Sequence, residues 1–254
     1  MVKFSLCLAF VFGAFQIANG QGKEKETVTQ SIQWVAFSSH LKVSKRVNIL
    51  LDGQFRQAGS MDPMQYQART GLDIKINDHF SFVPVGYVYT WNYQYGKQPA
   101  TFVNNEHRTW QQVMYKHHAG IVHFEHRLRL EQRFIQHHSV ASDGEVIDDG
   151  YSVFQQRLRY RLQARVPLNG KSIDPKTYYA IAYDEVFKSW GENVTYSDPD
   201  QNRLFLGVGY QFEKNFSMHM GGIYQLLVKK NGIQQENNVG VLLQITYNVD
   251  FTKQ

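Results

Sequence analysis

Arginine and glutamate alternate with apolar residues in two stretches of the sequence, and a third stretch adds one more arginine. Successive side chains of a strand point to opposite sides, so the charged groups of each stretch would share one face. The apolar residues between them would share the other face. We therefore predict a charged cluster that lines an enclosed interior, formed by Glu125, Arg127, Arg129, Glu131, Arg133, Arg157, Arg159, Arg161, Arg165 and Arg203.

The two main stretches hold seven arginines against two glutamates, so they cannot neutralise each other locally. Asp73, Asp184 and Glu185 are the candidate carboxylate partners from other strands. One hypothesis is an anion-attracting channel, because a narrow space with low-dielectric walls focuses the electrostatic field. The other is a plug of salt bridges that fills a closed interior. A small barrel holds little open space, which favours the plug.

Histidine pairs are the candidate metal ligands. His117-His118 and His137-His138 are each adjacent residues, so a strand would turn at most one of each pair inward. No ligand spacing typical of a metal site accompanies them. We predict no metal and no cofactor.

Catalysis by a serine is the enzymatic hypothesis. One loop brings the required residue types together: His137, His138, Ser139, Ser142 and Asp143. No G-x-S-x-G motif is present, however, and a catalytic triad needs groups that converge in space. We predict no catalytic residue and keep a lipid-modifying barrel enzyme as the alternative function.

The elements that carry these residues are strands of unusual length. From Val239 to Phe251 every odd position is apolar, while among the even positions only Leu242 is. Soluble strands usually span about 5–6 residues, whereas a membrane-crossing strand needs about 9–11. Apolar side chains would face lipid and polar ones the interior. We predict an all-β fold, an antiparallel transmembrane β-barrel; a soluble periplasmic barrel that binds a small ligand is the structural alternative.

Segmentation of the chain by this alternation gives eleven candidate strands. They cover residues 28–38, 46–57, 64–76, 80–94, 106–117, 121–135, 151–166, 177–188, 202–213, 216–229 and 238–251. Bacterial single-chain barrels have even strand numbers, so we expect ten or twelve. Either the first segment lies outside the wall or one segment contains two strands.

Two further patterns fit a membrane barrel. Short turns near residues 77–78, 118–120 and 213–215 alternate with long loops at 95–105, 136–150, 189–201 and 229–237. The connection 167–176 is longer than its side of the barrel predicts. Aromatic residues near strand ends predict an interfacial girdle, which would contain Tyr89, Trp91, Tyr93, Trp110, Tyr151, Tyr178 and Tyr179. Val83 is predicted to begin the outward apolar row that continues through Val85 and Tyr87.

The first residues resemble an export signal. Lys3 precedes an apolar run from Leu6 to Ile17, and small residues follow at Ala18 and Gly20. We predict a signal peptide over residues 1–20 and a single barrel domain over 21–254. Cys7 is the only cysteine, so the exported chain would have neither a disulfide nor a thiolate metal site.

The bulk composition argues against nucleic acid as a partner. The net charge is +5 and the pI about 9.1, but basic residues are interleaved with apolar ones instead of forming a stripe. No stretch after the signal is apolar for 18 residues, so helical spans are not expected. The predicted partners are outer-membrane lipid and, through the C-terminal strand, the barrel-insertion machinery. The protein is expected to be a monomer located in the outer membrane.

Several motifs resemble an uncharacterised family of outer-membrane proteins described as a domain of unknown function. The matching residues are His126-Arg127-Leu128-Arg129-Leu130-Glu131-Gln132-Arg133-Phe134, Arg157-Leu158-Arg159-Tyr160, Pro167-Leu168, Tyr179, Glu185, Phe187, Asp200-Gln201-Asn202-Arg203 and Gly207-Val208-Gly209-Tyr210-Gln211-Phe212. The resemblance spans most of the exported chain and implies a membrane barrel without an established activity. The function we predict is an integral outer-membrane barrel that is either structural or a narrow pore.

Overall fold

A closed sheet of eleven long strands forms the body of the protein. The computed structural model describes residues 25–194, 199–229 and 231–252, so the predicted signal peptide lies outside the described residues. The wall strands are β1 (Glu26–Lys42), β2 (Val47–Ala58), β3 (Asp62–Lys75), β4 (Phe80–Asn92), β5 (Glu106–Ala119), β6 (Val122–Ile135), β9 (Val153–Pro167), β10 (Thr177–Gly191), β11 (Gln201–Glu213), β12 (Phe216–Val228) and β13 (Gln234–Tyr247).

Three short strands complete the set. β7 (His138–Val140) and β8 (Val146–Asp148) form a small hairpin within the connection between β6 and β9. β14 (Val249–Asp250) follows β13 and pairs with the end of β1. No helix in the described ranges is long and apolar enough to cross a membrane.

The predicted all-β barrel is confirmed, and all eleven segments recognised in the sequence are wall strands. The barrel has eleven strands, close to the expected ten or twelve, and one of its strand pairs is parallel instead of antiparallel. β1 pairs antiparallel with β2 on one side and parallel with β13 on the other, from Glu26↔Gln234 to Ser38↔Thr246. A parallel pair also satisfies the backbone hydrogen bonds, although it is slightly less stable per residue. An odd number of strands with short connections makes this parallel seam necessary.

The barrel has two different ends. The turn end carries the connections 43–46, 76–79, 120–121, 168–176 and 214–215, and the loop end carries 59–61, 93–105, 136–152, 192–200 and 229–233. Four of the five loop-end connections are the long loops predicted from the sequence. The connection 168–176 is the long exception at the turn end, and its Ile173 packs against buried residues of the interior.

Side chains alternate across most of the wall, and this alternation is interrupted by register shifts in β3, β4 and β11. The pairing of β4 shifts register on both sides around Pro84, which cannot donate a backbone hydrogen bond. Phe82 and Val85 are therefore both exposed, whereas Val83 is fully buried inside with Val88 and Trp110. The prediction that Val83 belongs to the outward row is wrong, because the extra residue of a bulge exchanges the inward and outward positions along the strand.

Two of the seven predicted girdle aromatics also lie inside the barrel. Trp110 is completely buried, and a Cβ atom on Gly86 would stand 2.0 Å from its ring. Tyr179 is buried against Gly209, where a Cβ atom would come within 2.2 Å. Glycines thus provide the space for both large rings. The alternation of side chains along a strand also places both rings inside the barrel. Trp110, for example, lies two residues from Arg108 and from Gln112, which point inward.

The parallel seam can be tested by cross-linking. Ser38 of β1 and Thr246 of β13 are register partners, and their hydroxyl oxygens are 3.1 Å apart. In a background with Cys7, the single cysteine, replaced by serine, the double variant Ser38→Cys/Thr246→Cys should form a disulfide under mild oxidation. Maleimide labelling before and after reduction measures it.

The control is Ser38→Cys/Ile245→Cys, because Ile245 has the opposite parity and its side chain points to the other face of the wall. This variant should keep two free thiols. Equal cross-linking of both variants would contradict the parallel register.

Candidate functional site

The ten residues of the predicted charged cluster all lie on the inner side of the barrel. Five are on β6, four on β9 and one, Arg203, on β11. Nine of them line one of two interior cavities, and the tenth, Glu131, is completely buried. The alternation of residues in the strands is enough to place them together.

Three buried carboxylates organise the arginines into one network. Glu131 accepts from Arg157 at 2.6 Å and from Arg159 at 2.6 Å. Glu185 of β10 lies 2.6 Å from Arg127, 2.7 Å from Arg159 and 3.2 Å from Arg203. Arg159 therefore bridges Glu131 to Glu185 and joins strands β6, β9, β10 and β11.

The network extends to β5 through Glu106. This buried carboxylate contacts Arg108 on its own strand and Arg133 on β6. Arg108 also approaches Glu131, at 3.8 Å. Charge-assisted contacts of this kind are strong, but a buried charge that loses its partner is costly.

Aromatic rings lie beneath several of the guanidinium groups. Arg129 lies 4.1 Å above the centre of Trp110, and Arg159 lies 4.7 Å from the centre of Phe187. Arg56 and Arg203 approach the ring of Trp34 at 4.3 and 4.6 Å. A cation above a ring face gains electrostatic attraction, so the rings supply part of the stabilisation that carboxylates do not.

Of the three partner carboxylates suggested by the sequence, only Glu185 meets an arginine. Asp73 accepts from Asn48 at 2.9 Å. Asp184 has the parity opposite to that of Glu185, and it accepts from Asn202 of the neighbouring strand at 2.8 Å. The assignment of Asp184 to the interior is wrong, since adjacent residues of a strand cannot face the same side.

The network and the rings divide the interior into two chambers. The larger has a volume of about 650 Å³ and reaches the turn end, where Asn77, His79 and Lys214 line it. The smaller, about 230 Å³, lies toward the loop end and is lined by Asn92 and Gln201 among others. Three arginines line both chambers and form the partition between them: Arg56, Arg159 and Arg203.

The connection between β4 and β5 covers the loop end. The hydroxyl of Tyr95 donates to the carboxylate of Glu236 on β13 at 3.0 Å, and burial together with that carboxylate raises the pKa of Tyr95. The backbone amide of Lys97 donates to the side-chain oxygen of Gln30, and the side-chain amide of Gln98 donates to the backbone carbonyl of Glu26. These contacts attach the loop to the mouth of the smaller chamber.

Sequence reasoning missed Arg56, Arg69 and Arg108 as members of the inner cluster. Each stands in a row of same-parity polar residues: Gln54 beside Arg56, Gln67 beside Arg69 and Glu106 beside Arg108. These rows contain one arginine each, so they lack the repeated charges that made β6 and β9 conspicuous.

The loop with serine, histidine and aspartate does not form a catalytic relay. His137 and Ser139 both contact Asp149, at 2.8 and 3.2 Å, so the carboxylate stands between the histidine and the serine. His138 contacts Asn104 instead. A triad needs the histidine to accept the proton of the serine hydroxyl. Within the described ranges no group of three potential metal ligands converges.

Removal of the carboxylate shared by three arginines should destabilise the barrel. Glu185→Gln keeps the shape of the side chain but leaves Arg127, Arg159 and Arg203 with one negative charge fewer. Breaking a buried ion pair on one side typically costs about 3–5 kcal/mol. Unfolding by guanidinium chloride, followed by tryptophan fluorescence, should show a lower free energy of unfolding.

Lys75→Gln is the control, because the pair Lys75–Asp78 is exposed at the turn end and exposed pairs contribute little. Its unfolding midpoint should equal that of the unaltered protein. An unchanged midpoint for Glu185→Gln would mean that this network does not hold the strands together.

Comparison with known proteins gives a family without an activity. A family model described as "Protein of unknown function (DUF2490)" matches residues 32–237. No curated protein matches the chain with significance. The matched range runs from β1 into β13 and includes the whole charged network. The barrel therefore belongs to the DUF2490 family of proteins of unknown function.

Proposed function

We propose that this protein is an integral outer-membrane β-barrel with a closed, ion-paired interior. The observation that carries the proposal is the opposite polarity of the two faces of the wall. Large apolar side chains are exposed around the outside, among them Phe55, Leu128, Tyr160, Leu206 and Val241. Exposed apolar area of this extent marks contact with a membrane or a partner.

Strand length agrees with this proposal. The wall strands contain 12 to 17 residues, above the length of about 9–11 that crosses a bilayer at a tilt. A closed sheet has no free edge, so its backbone groups are paired without water. In a soluble barrel the same apolar rows would have to remain in contact with water, which the hydrophobic effect opposes.

The interior supports a plug more than an open channel. Arg56, Arg159 and Arg203 separate the two chambers, and the connection containing Tyr95 covers the smaller one. An anion channel would need a continuous water-filled path through this partition. The lipid-modifying enzyme gains no support, because Asp149 separates His137 from Ser139.

The proposal includes export and orientation. Residues 1–20 act as the signal peptide, and β13 presents the C-terminal signal to the insertion machinery. The long loops face outward and the turn end faces the periplasm, as in other barrels of this class. The larger chamber then opens to the periplasm. The protein acts as a monomer, because closure leaves no unpaired strand edge.

A lysine in the middle of the apolar belt should prevent membrane assembly. Leu206 is 68% exposed and lies near the centre of β11. Lysine at the centre of a lipid-facing strand costs about 2–4 kcal/mol in a membrane barrel. Leu206→Lys should therefore reduce the heat-modifiable, folded band in the outer-membrane fraction on unboiled gels.

The matched control is Leu168→Lys, since Leu168 is 58% exposed but lies in the turn-end connection beyond β9. It should assemble normally. If both variants assemble like the unaltered chain, and the protein is soluble without detergent, the membrane proposal fails.

Conductance distinguishes the plug from the pore. The purified protein in a planar bilayer should give no discrete current steps in potassium chloride. Reproducible anion-selective steps would instead assign the arginines to a conducting path and would refute the closed interior.

A further inference from the structure

Arg56 has no negative partner in a place where a buried charge needs one. Its side chain is 8% exposed and donates to the amide oxygens of Gln54, Gln65 and Gln67. Among the described residues no carboxylate lies within 4.0 Å of it. The charged groups that act on it are themselves arginines, with Arg203 foremost. A buried, unpaired charge is unfavourable, so a negative group from outside the chain would stabilise this position.

Unsatisfied donors surround the same chamber. The Nε atoms of Arg56, Arg69, Arg127, Arg161 and Arg203 are buried and lack a hydrogen-bond acceptor, as does the indole N–H of Trp34. Arginine and tryptophan side chains donate and cannot accept. The residues that line the chamber therefore carry more donors than acceptors, which suits a ligand rich in acceptors.

The residues that line the larger chamber also carry an excess of positive charge. The described residues around the larger chamber include eight arginines and three lysines against five carboxylates. Toward the turn end, Lys75, Lys116, Arg165 and Lys214 lie beside Asp73, Asp78 and Glu125, so most of the positive excess lies deeper in the chamber, at its arginines. Such an arrangement attracts anions into the chamber.

Part of the wall of this chamber is apolar. Ile181, Tyr179, Tyr183 and Leu242 line the larger chamber and belong to one buried apolar cluster with Trp34. A volume of about 650 Å³ falls in the usual range of small-molecule sites, about 300–1,000 Å³. A bare inorganic ion would leave this part of the wall uncovered, whereas an organic anion would use both the charged and the apolar part.

We propose that the larger chamber binds a small organic anion, a carboxylate or phosphate ester that bears an apolar group. The anionic group lies between Arg56 and Arg203, above the edge of Trp34. The apolar group lies against Ile181 and Tyr183. The ligand enters from the turn end. This proposal does not depend on membrane placement, since it uses only the interior of the barrel.

Matched probes test both parts of the ligand by calorimetry on the purified protein in a non-ionic detergent. The anions 1-naphthyl phosphate and 1-naphthoate should bind with saturation at one site. The uncharged 1-naphthol lacks the anion, and inorganic phosphate lacks the ring; each should bind at least tenfold more weakly. If neither anionic probe binds at millimolar concentration, or 1-naphthol binds as tightly as they do, the proposal is overturned.

Variants of Arg56 assign the anionic subsite. Arg56→Gln should weaken both anionic probes at least tenfold and leave 1-naphthol unchanged, while Arg56→Lys should restore part of the affinity. The ligand-free Arg56→Gln protein should melt no lower than the unaltered protein, because an unpaired charge has been removed. A structural arginine would give the opposite result, a lower melting temperature with unchanged probe affinity.

Lys171→Gln controls for net charge. Lys171 is exposed in the turn-end connection and lines neither chamber, so the variant loses one positive charge outside the site. Its affinity for the anionic probes should match that of the unaltered protein. If Lys171→Gln lost as much affinity for the anionic probes as Arg56→Gln, the effect of Arg56 would be one of net charge alone. That result would overturn the assigned subsite.

Discussion

The sharing of three buried carboxylates among seven guanidinium groups is the interaction on which the rest of the interior depends. Glu106, Glu131 and Glu185 lie on β5, β6 and β10, and their partners extend to β9 and β11. No single pair is isolated, so a change at one carboxylate removes the partner of several arginines at once. Five of the eleven wall strands are thereby joined through charges, and aromatic rings beneath several guanidinium groups add cation–π attraction.

The same network is compatible with both the proposed closed interior and the proposed ligand site. Positive charge exceeds negative charge inside, and the excess is concentrated where Arg56 and Arg203 share the ring of Trp34. Arg203 is paired with Glu185 at 3.2 Å, but no carboxylate of the described residues lies within 4.0 Å of Arg56. A neutral residue at position 56 would remove a buried charge that has no carboxylate partner. An arginine beside an apolar wall suits the proposed anion-binding chamber.

The outer face is apolar but not uniformly so. Asp184 lies at the middle of β10 and accepts from Asn202, and Thr109 and Gln132 bond to each other across β5 and β6. Each of these polar groups finds its partner within the wall. Polar side chains that are already paired cost much less in an apolar environment than unpaired ones, so they are compatible with a belt in contact with lipid.

The sequence alone determined the positions of the strands, the alternation of long and short connections and the inward side of the charged rows, because a period of two is a local property of the chain. Strand ends were less well determined, since β1 was expected over 28–38 and spans Glu26–Lys42. Tertiary structure decided the rest. The count of eleven depends on whether β1 and β13 can pair in parallel, which no local pattern expresses. The inward position of Val83 depends on the bulge at Pro84, and the space for the inward rings of Trp110 and Tyr179 depends on glycines of neighbouring strands. That Glu185 and not Asp184 points inward follows from the alternation of side chains along β10. Which three arginines Glu185 contacts depends on the register between strands, which only the closed barrel fixes.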